Sequence, residues 1–289
     1  IGSWSSEVFE MNDIEGFDIN DGPVVQGHFE HRLFGLSVNP ANGTEYVTVG
    51  EDKTVRIWDT ATHTLKTMSV LDTMAHCVSW SPDGELLAVG LGYKPGGFGA
   101  SAKRQRKDGA FLILQRSDLT IVQEARDSKQ LISSIKWSPD GGTLAVTSYD
   151  RAIYLYNVGD WASTAKCRGH KGRITGGLGL QRTTPTTRLY PTNPTIPPPP
   201  TLTPTPPQLS LREGLDWSTD ANFLQSTDDL GELIFWEADS GEQRTARTMR
   251  DIEWETQTCV YGWPLKSAWG QFDDSCALAI DGRHSGNHS

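Results

Sequence analysis

The feature that most restricts this chain is a short phrase that occurs four times, an alternating apolar strand closed by a turn. It runs Leu36-Ser-Val-Asn-Pro40, Val78-Ser-Trp-Ser-Pro-Asp-Gly84, Ile135-Lys-Trp-Ser-Pro-Asp-Gly141 and, without the proline, Leu215-Asp-Trp-Ser-Thr-Asp220. In Ser-Pro-Asp-Gly, proline presets φ for the turn and glycine tolerates the positive φ near its end. A second apolar run follows each turn, beginning at Glu45, Leu86, Thr143 and Phe223. A third follows another tight turn, beginning at Val55, Phe111, Ile153 and Leu233. One small sheet, repeated, must bury its faces against copies of itself.

The spacing defines the unit. Val38 to Trp80 is 42 residues, inside the roughly 40–45 of a WD40 blade. Trp80 to Trp137 is 57 and Trp137 to Trp217 is 80, leaving about 15 and about 38 residues beyond that period. The excess falls in two interruptions, 93–108 and 176–214. Gly27-His28 and Gly169-His170 stand where such a unit carries its Gly-His pair, and Trp58-Asp59 is a complete Trp-Asp dipeptide. Asp52 and Asp150 precede the third strands of their units, where a carboxylate accepts turn N–H groups. The expected fold is all-β: a WD40-type β-propeller fragment of about four to five four-stranded blades. His28, Asp52 and Trp58 are expected to join in a buried network that fixes one blade, with Asp150 and His170 playing such parts in later blades. That role is structural, not catalytic.

Charge and composition exclude several classes. Twenty-six Lys and Arg against 36 Asp and Glu leave a formal charge of −10, which repels nucleic acid and anionic membranes at long range. The four cysteines, Cys77, Cys167, Cys259 and Cys276, form no CxxC pair, as in a reducing compartment. No run reaches the roughly 18 apolar residues of a membrane span. Ile1-Gly2-Ser3-Trp4 carries no signal-peptide pattern and no initiator Met, so the chain is expected to be a cytoplasmic segment of a longer protein. Gly96-Gly-Phe-Gly99 does not match a dinucleotide loop. His284 and His288 with Asp281 read as a polar tail and not a metal site. Asp228-Asp229 and Asp273-Asp274 read as solvated turn acids. No enzyme activity, cofactor or metal is expected, and a propeller hydrolase ranks below any binding role.

Several phrases go beyond generic repeats. Asp21-Gly-Pro-Val-Val-Gln-Gly-His28 with Leu33-Phe-Gly-Leu-Ser37, then Gly50-Glu-Asp-Lys-Thr-Val-Arg-Ile-Trp-Asp59, resemble the echinoderm microtubule-associated protein-like family. Ile132-Ser-Ser-Ile-Lys-Trp-Ser-Pro-Asp140 and Ile252-Glu-Trp-Glu-Thr-Gln-Thr-Cys-Val-Tyr-Gly262 continue the match. The resemblance implies the second of two apposed propellers in a cytoplasmic, cytoskeletal protein that binds microtubules or other proteins. Residues 1–20 would then be last-strand material of a preceding propeller. Residues 21–175 and 215–270 would be blades, and 271–289 an irregular tail. The family's HELP motif and coiled coil are not in this sequence. Lys103, Arg104, Arg106 and Lys107, at the tip of the first interruption, are candidate contacts to the acidic surface of tubulin or another partner. The alternative within the fold is a general WD40 adaptor, such as a substrate receptor of a ubiquitin ligase.

The second interruption, 176–214, is dense in proline and threonine. Proline cannot donate to a ladder, and such a tract prefers extended polyproline II. It reads as a disordered insert, or as intron sequence carried into the translated chain, before it reads as an SH3 or WW ligand.

Overall fold

The computed structural model describes residues 7–8, 10–12, 16–17, 19, 23, 25–28, 33–92, 107–174 and 214–259. A short pair, β1 (Glu7–Val8) and β2 (Val25–Gln26), comes first. Four four-stranded antiparallel sheets follow. The first holds β3 (Leu33–Val38), β4 (Glu45–Gly50), β5 (Thr54–Asp59) and β6 (Leu65–Val70). The second holds β7 (Ala75–Trp80), β8 (Leu86–Leu91), β9 (Phe111–Gln115) and β10 (Ile121–Ala125). The third holds β11 (Ile132–Trp137), β12 (Thr143–Ser148), β13 (Ala152–Asn157) and β14 (Ser163–Arg168). The fourth holds β15 (Leu215–Trp217), β16 (Phe223–Thr227), β17 (Leu233–Glu237) and β18 (Gln243–Arg244). Strand order within each sheet is sequential, as in a propeller blade.

The apolar cores lie between sheets. Val47, Val49 and Ile57 of the first sheet pack with Leu87, Val89 and Leu112 of the second. Phe111 and Ile113 continue into Ile132, Ile135, Val146 and Tyr154 of the third. Ala145, Ile153 and Leu155 meet Leu215, Trp217, Leu224 and Trp236 of the fourth. Each fully buried aliphatic side chain here is worth about 1.5–3 kcal/mol. The seams, and not the individual sheets, therefore carry the hydrophobic stabilisation.

One tryptophan hydrogen bond repeats at every seam between the four sheets. Trp80 Nε1 donates to the Ser37 carbonyl, Trp137 Nε1 to that of Ser79, and Trp217 Nε1 to that of Lys136, each at 3.2 Å. The tryptophans that mark the repeat in the sequence thus tie each inner strand to the one before it. In the first sheet the position belongs to Val38, which is 51% exposed.

The turn phrase acts as its chemistry requires. Ser81 Oγ donates to Asp83 and accepts from Leu86 N, while Glu85 N donates to Asp83. Ser138 with Asp140, and Ser218 with Asp220, repeat the arrangement. Gly84 and Gly141 both sit at φ +73°, and Ala221 occupies that place in the fourth sheet at φ +59°. The interruption at 176–214 lies outside the described residues except for Gly214. The tail at 271–289 lies wholly outside them.

Candidate functional site

The first sheet holds His28, Asp52 and Trp58 together through a residue that the repeat spacing alone did not single out, Thr48. Trp58 Nε1 donates to Thr48 Oγ1 at 2.7 Å, and Thr48 Oγ1 lies 2.8 Å from His28 Nε2. His28 Nδ1 lies 2.8 Å from Asp52 Oδ2. An indole only donates, so the hydroxyl accepts from Trp58 and gives its own proton to Nε2. That leaves Nδ1–H facing the carboxylate. Arg56, itself buried, closes on the same carboxylate at 3.5 Å, and Thr54 donates to it through both N and Oγ1. Burial acts to raise the Asp52 carboxyl, but the His28 and Thr54 bonds outweigh it and hold the group below the usual carboxylate range.

His170 is not placed with Asp150. It belongs to a second network, in the fourth sheet, where Trp236 Nε1 and His170 Nε2 both lie 2.7 Å from Ser226 Oγ. The carboxylate facing Nδ1, at 3.3 Å, is that of Asp228. Read from the sequence as a solvated turn acid, Asp228 is buried, whereas its neighbour Asp229 is exposed. Asp228 accepts from the backbone N–H groups of Gly172, Leu230 and Glu232 at 2.8, 3.1 and 2.8 Å. Burial holds His170 below the ordinary imidazole value despite the pull of Asp228. His170, Asp228 and Glu232 offer ligand atoms within 4.8 Å of one another. Ser226, the turn amides and Lys171 already engage those side chains, which describes a locked blade. The missed signal was the hydroxyl: Thr48 and Ser226 each lie ten residues before their tryptophan.

Asp150 sits in a third arrangement. Val146 and Tyr156 occupy the positions of Thr48 and Trp58. With neither indole nor imidazole available, Asp150 accepts from Ser128 Oγ at 3.0 Å and Tyr154 Oη at 2.6 Å, while Tyr156 Oη donates to Asp127 at 2.7 Å. Burial, reinforced by these carboxylates, pushes both phenols well above their ordinary value. Lys166 donates to the Tyr154 hydroxyl at 2.6 Å.

Another buried carboxylate, Asp216, is one that sequence reading passed over. It is fully buried and accepts from Thr258 N, Cys259 N, Gln225 Nε2 and the hydroxyls of Thr256 and Thr258, with Lys136 Nζ at 3.3 Å. The Thr-x-Thr-Cys phrase is thereby fastened to the inner strand of the fourth sheet and to the third sheet through Lys136. Burial alone would raise Asp216, but Lys136 and the threonines bring it below the usual range. Cys167 and Cys259 are buried thiols, with Cys167 pushed up to about 12 by burial and Cys259 raised by the same cause. Neither is poised as a nucleophile.

Of the basic run, Lys103, Arg104 and Arg106 lie outside the described residues. Lys107 is placed, and its ammonium bridges Asp72 at 2.8 Å and Glu124 at 3.0 Å. Its charge is therefore largely answered from within the chain. It ties the loop between β6 and β7 to β10.

Repeated sheets, seam tryptophans and two His–hydroxyl–Trp networks define a WD40-type β-propeller protein. Comparison narrows this further: the model of the echinoderm microtubule-associated protein second beta-propeller matches residues 33–287, and the chain belongs to that family. It is 27% identical over 280 residues to human echinoderm microtubule-associated protein-like 3, covering 95% of this chain and 25% of that protein. It is 27% identical over 269 residues to the 77 kDa echinoderm microtubule-associated protein of Lytechinus variegatus, covering 91% of this chain and 32% of the relative. For the rat echinoderm microtubule-associated protein-like 2 the figures are 27%, 91% and 33%. The chain thus spans about a quarter to a third of the relatives it matches. Among the described residues no helix is long and apolar enough to cross a membrane.

Proposed function

We propose that this chain is a non-catalytic microtubule-associated module that binds tubulin, or proteins assembled on it, through rigid propeller loops. The observation that carries the reading is the match to the second propeller over 33–287, in relatives whose names state microtubule association. The structure supplies a fitting physical basis. Buried carboxylates in the first and fourth sheets are spent on imidazole, guanidinium and backbone N–H groups that hold loops in place. Loops held in this way present a preformed surface and lose little entropy on binding. Within this reading the protein is cytoplasmic and cytoskeletal, and this chain is one part of a longer two-propeller protein.

The test is co-sedimentation with polymerised tubulin across a salt series, with and without residues 176–214. Salt-sensitive pelleting that survives the deletion supports binding by the blades. Well-folded protein that stays in the supernatant removes direct binding, and a general WD40 adaptor then becomes the better account.

A further inference from the structure

The corner where the third sheet meets the fourth gathers cations that the microtubule reading has not yet used. The β12–β13 turn supplies Tyr149 and Arg151, the end of β14 supplies Arg168, and the loop that follows supplies Lys171 and Arg173. The four basic side chains are exposed, and Lys171 is 79% exposed at its side chain. Arg151 Nη1 donates to the Lys171 carbonyl at 3.2 Å, fastening the turn to the loop. The Arg173 guanidinium stands 5.5 Å from the centre of the Tyr149 ring.

The loop's backbone is held from beneath. Gly172 N donates to Asp228 at 2.8 Å, Arg173 N to Asp229 at 2.8 Å, and Lys171 N to Glu232 at 3.4 Å. The acids therefore grip the main chain while the cations point outward. The one side-chain ion pair here is the long 3.4 Å contact of exposed Lys171 with Glu232, and none involves Arg151, Arg168 or Arg173 among the described residues. This contrasts with Lys107, which two carboxylates already neutralise. Burial, and then the like charge of Arg168, lowers the pKa of nearby Lys166 against the pull of Asp150 and Asp127.

We propose that Tyr149, Arg151, Arg168, Lys171 and Arg173 form a docking site for an acidic polypeptide segment. The proposal deepens the microtubule reading and rests on it for the partner's setting. Arginine forks pair with carboxylates in bidentate fashion, and a guanidinium on an aromatic ring is held in place for that purpose. A Glu-rich peptide fits better than a phosphodiester strand. The chain's charge of −10 opposes a strand of high charge density.

The experiment titrates a labelled oligo-glutamate peptide into the full chain by fluorescence anisotropy, at several salt concentrations. Arg151→Glu/Arg168→Glu/Arg173→Glu is the test variant, and Arg247→Glu, on an exposed arginine elsewhere, is the control. Expected is salt-sensitive binding that weakens by about tenfold or more in the triple variant, is unchanged in the control, and leaves the thermal melt in place. If the triple variant fails to fold, Arg173→Ala and Arg168→Gln singly carry the same test with smaller losses. Affinity within twofold of wild type in the folded variants overturns the site. Equal competition by a DNA oligomer of matched charge overturns the assignment to a peptide. Pelleting with microtubules without peptide binding overturns this site and leaves the microtubule reading standing. Peptide binding without pelleting supports the site and removes the microtubule reading.

Discussion

The first and fourth sheets both end a Trp–hydroxyl–His chain on a buried carboxylate, yet they place that carboxylate differently. Asp52 lies six residues before Trp58, whereas Asp228 lies eight before Trp236, and the six-back position there is Leu230, which is 71% exposed. Asp52 spends its oxygens on His28, Arg56 and Thr54. Asp228 spends its oxygens on three backbone N–H groups and stands farther from its histidine. The same network thus serves as a charge clamp in one blade and as a loop organiser in the other. The organiser is the one beside the exposed cation corner.

Replacement by asparagine separates the two roles most sharply. Asp52→Asn takes the carboxylate from a buried guanidinium and is expected to cost about 3–5 kcal/mol in urea unfolding. Asp228→Asn keeps an acceptor oxygen for the turn amides and leaves no guanidinium behind, so about 1–2 kcal/mol is expected. Equal losses would break the distinction. Asp216→Asn sharpens it from inside the fourth sheet, because this carboxylate faces Lys136. A loss near 3 kcal/mol is expected there, with earlier proteolysis in 254–259 than in wild type.

The indoles come next. Trp236 is buried and Trp58 half-buried, so Trp236→Phe should cost about 2 kcal/mol and Trp58→Phe about 1. The reverse order would show that the first network carries more load than its burial indicates. pH offers a third handle. His170 titrates below its ordinary 6.5 in the fold, so the unfolded chain binds that proton more readily. The stability it supports is complete above about pH 6.5 and is lost as pH falls through the lower folded value. His170→Gln should flatten the slope of unfolding free energy between pH 7 and pH 5, and an unchanged slope would assign the effect elsewhere. The smallest change concerns the turns. The first sheet has Gly43 at φ +64° where the fourth carries Ala221 at φ +59°, so Ala221→Gly should stabilise by about 1 kcal/mol. A lower melting temperature would contradict the strain.

Much of the fold was legible because period-2 strands and Pro-Asp-Gly turns are local. Each is dictated by φ/ψ preference and pleat within a few residues. The tryptophan spacing was legible for the same reason, and its seam hydrogen bonds follow from it. The networks were legible in part. His28, Asp52 and Trp58 keep the expected offsets, so the motif picked them out, while Thr48 and Ser226 are small hydroxyls with no distinguishing neighbours. Asp228 was misread because a shift of two residues moved it off the motif. Asp216 was passed over because its partners other than Gln225 lie 40 and more residues away in the sequence.

The sequence by itself determined the repeating unit, the breaks in it, the acidic balance and the family phrases, because all of these are matters of order along the chain. Only the tertiary structure decided which carboxylates are buried, that Lys107 is already neutralised, and that cations from a turn, a strand end and a loop share one exposed corner. Charge acts through space and not along the chain, so its partners are fixed only when the sheets have been packed.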